Sequence, residues 1–124
     1  MFKINDDLSI YATRGDAFSF TLTAMREDGL HTFQAGDLVR FKVFEKKACH
    51  CVVLQKDVHV TEETQEIAVS LTAEDTKIGE TISKPTDYWY EVELNPMTNP
   101  NTIIGYDEDG AKVFRLYPEG GNMV

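Results

Sequence analysis

The sequence predicts an all-β protein with antiparallel strands in a sandwich of seven or eight strands, plus one short helical turn near residues 72–79. Apolar and polar residues alternate with a period of two through most of the chain. Turn-forming residues recur at spacings of about ten residues, and no stretch keeps a helical period. The 124 residues suffice for one domain, residues 1–124, whose core we expect at 8–117 with a tail at 118–124.

The first clear strand lies within residues 17–25. Its apolar residues fall on one face and its hydroxyl residues on the other, as in a strand with one side on a core and one in water. The core-facing residues are Phe18, Phe20, Leu22 and Ala24. The Asp28-Gly29 pair that follows is typical of tight turns. A short apolar segment at Leu30–Phe33 then leads to a turn at Gly36-Asp37.

Three further strands come next. Residues 38–44 and 67–71 alternate, with one apolar and one polar face each. Residues 49–60 are apolar at Val52-Val53-Leu54 and again near their end, so we expect a strand there as well. All three therefore contribute residues to the predicted core.

The period changes after residue 71. Thr72 can cap a helix, Asp75 follows three residues later, and Gly79 can end a turn. These residues predict the single helical turn.

The strongest strand is Asp87–Leu94, where tyrosines and aliphatic residues share one face while Trp89, Glu91 and Glu93 share the other. Asn95-Pro96 ends it. Residues 102–106 and 111–117 flank an Asp-Glu-Asp-Gly segment, which predicts a closing hairpin. The predicted core is Phe18, Phe20, Leu22, Val39, Phe41, Val43, Ile67, Val69, Leu71, Tyr88, Tyr90, Val92, Phe114 and Leu116.

The charge balance limits the classes of partner. Twelve Lys and Arg against 21 Asp and Glu give a net charge of -9. We therefore expect neither nucleic acid, which needs clustered cations, nor an anionic membrane surface as the partner. No apolar stretch approaches the roughly 20 residues of a membrane span. The first residues turn acidic at once and lack the apolar core of a secretory signal, so we expect folding in a cytoplasm.

The two cysteines, Cys49 and Cys51, flank His50. On a strand both thiols would project from one face and the imidazole from the other. Two cysteines are too few for a disulfide framework, so we expect ordinary reduced thiols. The alternative is a metal site that adds His50 or His59, although His59 has no recognisable ligand spacing from the pair.

Catalysis has little support in the sequence, and we expect neither an enzyme nor a cofactor. A nucleophilic serine in a Gly-x-Ser-x-Gly turn and a His-Glu-x-x-His motif are both absent. Glu91 and Glu93 fit a solvated strand face better than an acid-base pair. Arg14-Gly15-Asp16 is expected to be a turn rather than an adhesion motif. Asp107–Gly110 is expected to be a hairpin turn rather than a calcium loop.

Two aromatic residues lie on predicted wet faces. Trp89 is opposite the tyrosines of its own strand, and Phe44 interrupts the polar face of another. A large aromatic on a wet face is typical of a protein interface. The alternative is that a loop or the Thr72–Gly79 turn covers it, and both interpretations stay open here.

Several segments resemble a known family. They are residues 39–47, the Leu-Thr-Ala-Glu-Asp-Thr run at 71–76, the Tyr-Trp-Tyr-Glu-Val-Glu-Leu strand at 88–94, and the closing segment Phe114–Gly120. In this order they resemble the immunoglobulin-like β-sandwich domains of phage and prophage tail proteins, including the N-terminal domain of baseplate upper proteins. The similarity covers about Leu8 to Gly120, and its motifs are structural.

The resemblance implies an immunoglobulin-like β-sandwich and a non-enzymatic structural role in a phage or prophage virion. It implies contacts with other virion proteins, together with a homo-oligomer as one option, in a tail assembled after synthesis in a bacterial host cytoplasm. The alternatives are a small metal- or ligand-binding module that uses Cys49, Cys51 and a histidine, or a sandwich that binds carbohydrate through Trp89.

Overall fold

The computed structural model describes residues 2–26, 29–47, 49–79, 83–98, 100–104 and 110–119, with the backbone alone at Arg26, Cys49 and His50. These residues form an all-β structure in which no helix is present. No helix of the described chain is therefore long and apolar enough to cross a bilayer.

Eleven strands are described. They are β1 (Phe2–Ile4), β2 (Ile10–Thr13), β3 (Phe18–Leu22), β4 (Met25–Arg26), β5 (Gly29–Leu30), β6 (Leu38–Lys46), β7 (Cys49–His59), β8 (Ile67–Leu71), β9 (Thr86–Leu94), β10 (Asn101–Ile104) and β11 (Lys112–Tyr117). The main sheet has the order β1-β2-β11-β9-β6-β7, with β10 also paired to β9. A second sheet contains β3 and β8, and β4 pairs with β5.

The expectation of a wholly antiparallel fold is wrong at one pair of strands. β2 and β11 are parallel, with Ile10 opposite Phe114 and Thr13 opposite Tyr117. Parallel neighbours need a long crossover connection, and the chain supplies one because all of β3 to β10 lies between them. Side-chain alternation has the same period in both kinds of sheet, so the sequence pattern does not report the strand direction.

The predicted closing hairpin is also wrong. Both β10 and β11 pair with β9, at Thr102 opposite Glu93 and at Val113 opposite Trp89. They lie on the same edge of β9, because its other edge pairs with β6 along its length. The two segments are thus successive parts of one interrupted strand. The expected turn residues Asp107–Asp109 lie outside the described residues, as does Asp28 of the earlier predicted turn.

The core lies between the main sheet and the β3–β8 sheet. All the core residues predicted from the alternation are buried, apart from Phe18, which is partly buried and packs against the others. Ile10, Ala12, Phe33, Val60, Ile78 and Leu94 join them. Each large apolar side chain buried in this way contributes about 1.5–3 kcal/mol to the free energy of folding. Because the alternation puts these side chains on one face of each strand, it favours two sheets packed face to face.

The predicted helical turn is a hydrogen-bonded turn rather than a helix. The Thr72 amide donates to Asp75 Oδ2 at 2.8 Å, and the Asp75 amide donates to Thr72 Oγ1 at 3.1 Å. This reciprocal pair is a capping box with aspartate in place of glutamate. The Thr76 amide donates to the Thr72 carbonyl, and the chain leaves the turn at Gly79, where φ is +68°.

The Arg14-Gly15-Asp16 segment is a turn, as the sequence predicts, in which Arg14 is buried and Asp16 is exposed. The guanidinium of Arg14 donates to the carbonyl oxygens of Ile78 and Gly79 at 3.2 and 2.8 Å. It also contacts Glu119 Oε1 at 2.6 Å. Arg14 is only 7% exposed, so its side chain fastens the turn to the chain on both sides and is not available to a receptor.

Candidate binding groove beside strand β3

An apolar groove of about 170 Å³ opens between the two sheets. Ile4 of β1, Ile10 of β2 and Tyr90 of β9 line it from the main sheet, and Leu8 lines it from the turn between β1 and β2. Residues 20–23 of β3 and the following segment complete the lining together with Ile104. The lining has no Lys, Arg, Asp, Glu or His, so the groove suits an apolar group.

The groove follows the backbone edge of β3. Successive residues of a strand point to opposite faces, yet four consecutive residues, 20–23, all line the groove. Contact with all four is expected of a cavity that runs beside the edge of the strand, and we infer that position for the groove. β8 pairs with the other edge of β3, from Phe18 opposite Leu71 to Leu22 opposite Ile67. The edge beside the groove has no strand partner among the described residues.

Leu8 forms one wall in an unusual conformation. Its φ is 72°, in the left-handed region that bulky residues seldom adopt. Its side chain is 41% exposed. The Leu8 amide donates to the Asn5 carbonyl, and the Asn5 amide donates to the Ser9 carbonyl. The turn thus holds an apolar side chain at the mouth of the groove despite its backbone cost.

Asp7 reinforces this turn. Its Oδ1 accepts hydrogen bonds from the hydroxyl and the amide of Ser9 at 2.6 and 3.0 Å. These bonds stabilise the carboxylate and lower the pKa of Asp7. The charged side chain therefore orders the turn and does not act as a catalytic acid.

Tyr90 forms the floor and is tied to the same turn. Its hydroxyl donates to the carbonyl oxygen of Leu8 at 2.5 Å. Burial raises the pKa of Tyr90 well above its usual value of 10.0, because the ionised form would lose its solvation. The phenol therefore stays protonated as a hydrogen-bond donor, which suits positioning rather than proton transfer.

Partly buried apolar residues of β10 adjoin the groove, and Ile103 and Ile104 also pack against the core. Ile104 lines the groove, while Thr102 and Ile103 line a neighbouring cavity with Met25. Met25 is 69% exposed and its cross-strand partner Leu30 is 44% exposed. We call Ile4, Leu8, Met25, Leu30, Ile103 and Ile104 the apolar rim. Apolar side chains gathered at one end of a domain are typical of an interaction surface.

The structure places the two predicted interface residues, Phe44 and Trp89, directly opposite each other on β6 and β9. Val52 and Val113 lie opposite them on the outer strands, so four neighbouring strands carry one apolar row. Phe44 is only 2% exposed, whereas Trp89 is half-buried. Phe44 is therefore covered, and Trp89 is the member of the pair that faces solvent in part.

The charged residues of the same outer face pair with one another. Lys42 contacts Glu91 at 3.6 Å and forms an ion pair with Glu93. Arg40 contacts Asp57 at 2.8 Å, and this hydrogen bond raises the pKa of Arg40 and lowers that of Asp57. Glu91 and Glu93 thus belong to an ion-pair network that crosses β6, β7 and β9, not to a cleft.

The cysteine segment departs from expectation. Cys51 is disulfide-bonded, so the prediction of a reduced thiol is wrong for this residue; residue composition does not report whether two sulfurs lie close enough to bond. The side chains of Cys49 and His50 lie outside the described residues. His59 lies at the other end of β7, roughly 25 Å from Cys51 at about 3.3 Å per residue. Among the described residues no group of His, Cys, Asp and Glu could hold a metal ion.

The groove was not predicted from the sequence. Its walls come from β1, β2 and β10, which are three or four residues long. A usable signal does exist: Phe2 and Ile4 mirror Ile10 and Ala12 across the Asn5-Asp6-Asp7 segment, which is the pattern of a hairpin.

Comparison with known proteins finds no matching family model, no matching curated protein and no matching solved structure. The function is therefore inferred from the fold, the groove and the segment resemblance.

Proposed function

We propose that this chain is a non-enzymatic structural component of a phage or prophage tail or baseplate, which acts through protein–protein contacts. The observation that carries the proposal is the apolar groove beside the open edge of β3, continued by the apolar rim. Open edges and exposed apolar surface are features through which β-proteins recruit other chains. The segments at 71–76 and 88–94 supply the link to tail proteins.

The strand order supports the immunoglobulin-like part of the proposal. In immunoglobulin sandwiches one sheet contains strands C, F and G, with C′ added in the variable type, and the other contains A, B, E and D. Here β11-β9-β6-β7 has the order G-F-C-C′. We match the paired strands β3 and β8 to B and E. The disulfide between strands B and F that antibody domains carry has no counterpart, because Cys51 lies on β7.

The chemistry of the groove supports binding rather than turnover. Its lining lacks carboxylates, imidazoles and amines, and the phenol of Tyr90 is engaged by Leu8. A general acid or base needs a titratable group within hydrogen-bond reach of a substrate. On the ground of the segment resemblance, the partners that we propose are other virion proteins, met after synthesis in the bacterial host cytoplasm.

Purified phage particles provide the test. Particles from the strain that carries the gene are isolated on a density gradient, and their proteins are quantified by mass spectrometry. We expect the chain at a fixed ratio to the major tail proteins, with tail or portal genes beside its own gene. Particles that lack the chain, together with a metabolic gene neighbourhood, would overturn the proposal.

A further inference from the structure

We infer that the open edge of β3 receives an extended segment of a different protein, which adds as a strand, inserts one apolar side chain into the groove and carries lysine or arginine at its flanks. This inference rests on the proposed function and specifies the partner of the same surface.

The order of the strands in the two sheets indicates where a strand could be added. In an immunoglobulin sandwich strand A lies beside strand B, and we match β3 to B. In this chain the N-terminal strand β1 pairs instead with β2 in the main sheet, from Phe2 opposite Ala12 to Ile4 opposite Ile10. Phe2 of β1 stacks on the rings of Phe18 and Phe20, and the groove borders β3 from Phe20 onwards. Main-chain hydrogen bonds to such an edge give affinity, and pockets for alternate side chains give specificity.

The volume of the groove limits the size of the apolar side chain that the partner can insert, which we call the anchor. An apolar cavity of about 150 Å³ lined by leucine, isoleucine and phenylalanine accommodates benzene. The groove measures about 170 Å³, which fits one phenylalanine, leucine or isoleucine side chain. Phe20 and Leu22, only 9% and 6% exposed, would contact this anchor from β3.

The mouth of the groove is ordered by hydrogen bonds within the chain. Leu8 keeps a φ of 72° and a 41% exposed side chain. Its carbonyl is fixed by Tyr90 and its amide by Asn5. A wall that is already ordered lowers the entropy lost on binding.

The charges favour a basic partner over a second copy. The chain has a net charge of -9, so two copies would repel each other. Exposed Asp6 and Asp7 directly precede Leu8 at the mouth. Lysine or arginine beside the apolar anchor would be attracted to these carboxylates, and opposite charges at the edge of an interface raise the association rate.

The test uses a fluorescein-labelled peptide with a central phenylalanine, alternating threonine and valine on each side, and two lysines at each end. Binding to the full chain is followed by fluorescence anisotropy. We expect saturable binding that weakens as salt rises. Peptides with serine for the phenylalanine, with N-methylated backbone amides, or with glutamates for the lysines should each bind at least about tenfold more weakly.

Leu8→Gly is the matched protein variant. Glycine adopts a positive φ readily and keeps the carbonyl that Tyr90 bonds, so the chain should fold while the wall is lost. We expect about tenfold weaker peptide binding, equivalent to the removal of part of a leucine contact. Val52→Ala, an exposed position on β7, should bind as the wild type does. Amide NMR shifts on peptide addition should concentrate at Phe20–Thr23.

Three results would overturn the inference. They are equal binding of the wild type and Leu8→Gly, equal binding of lysine and glutamate peptides, and a wild-type dimer that Leu8→Gly converts to a monomer. The last result would make a second copy the occupant. The particle analysis does not depend on the peptide. If the chain is found in phage particles but does not bind the peptide, this inference is refuted and the proposed function stands.

Discussion

The hydroxyl of Tyr90 donates a hydrogen bond of 2.5 Å to the carbonyl oxygen of Leu8, and so joins the middle of the main sheet to the turn between β1 and β2. The two residues are far apart in sequence but meet at the floor and the mouth of one groove. Within the groove lining, this hydrogen bond connects β9 to the turn, whose own conformation is held by the bonds among Asn5, Asp7, Leu8 and Ser9.

Tyr90→Phe tests that contact. The ring keeps its packing while the Leu8 carbonyl loses its donor, so the free energy of unfolding should fall by about 1 kcal/mol in urea titrations. Tyr88→Phe removes a hydroxyl from the same face of β9 but leaves this bond in place, and should cost less. Equal losses in both variants would mean that the bond adds no stability of its own.

Arg14→Ala should be the most destabilising single change outside the apolar core. It removes the donor to the Ile78 and Gly79 carbonyls and leaves Glu119 without its cation. We expect a loss of about 2–3 kcal/mol in chemical denaturation. Glu119→Gln keeps an acceptor and should cost less than about 1 kcal/mol, since this carboxylate is partly exposed. If Arg14→Ala lowers the free energy of unfolding no more than Glu119→Gln does, the hydrogen bonds of Arg14 to Ile78 and Gly79 do not stabilise the fold as proposed.

The ion pair between Asp57 and Arg40 should make the free energy of unfolding depend on pH. The hydrogen bond from Arg40 lowers the folded pKa of Asp57 below its usual 3.8. The unfolded state therefore binds the proton more readily, and the pair stabilises the fold above pH 3.8 and less as the pH falls through the folded pKa. Unfolding free energies measured from pH 2 to 7 should decline more gently at the acid end in Asp57→Asn than in the wild type. Identical slopes would contradict the assignment.

Trp89→Ala addresses the outer apolar row. Trp89 lies opposite Phe44, which is 2% exposed, so its removal should uncover that ring and lower the free energy of unfolding by about 2 kcal/mol. Val52→Ala, on the other side of Phe44, is the control and should cost less. We expect no signal on glycan arrays for either the wild type or the variant, and the same mass for both by light scattering. Glycan binding that disappears with Trp89 would favour the carbohydrate-binding alternative instead.

The long alternating strands are the part of the fold that the sequence predicts best. In β6 and β9 every second side chain must reach the core, so residues such as Val39, Phe41 and Val92 are identifiable from their spacing. The capping pair Thr72 and Asp75 was also recognisable, since its chemistry is local in sequence.

The candidate site was beyond such local patterns. β1, β2 and β10 are too short for alternation to be distinctive, and the parallel contact of Ile10 with Phe114 depends on residues a hundred positions apart. The groove arises where these short strands meet β3. Its existence depends on which strand edges pair, and apart from the hairpin pattern of β1 and β2 the sequence patterns do not report the pairing of strands distant in sequence.

The interruption between β10 and β11 has a practical consequence. Ile104 lies opposite Val92 and Lys112 lies opposite Tyr90, so each flank is anchored to β9 by its own ladder. The number of residues joining the flanks is thus not dictated by either ladder. An epitope or a small reporter domain inserted at this position should leave the neighbouring strands undisturbed. Such an insertion would let electron microscopy test whether the molecule is part of the tail or baseplate proposed above.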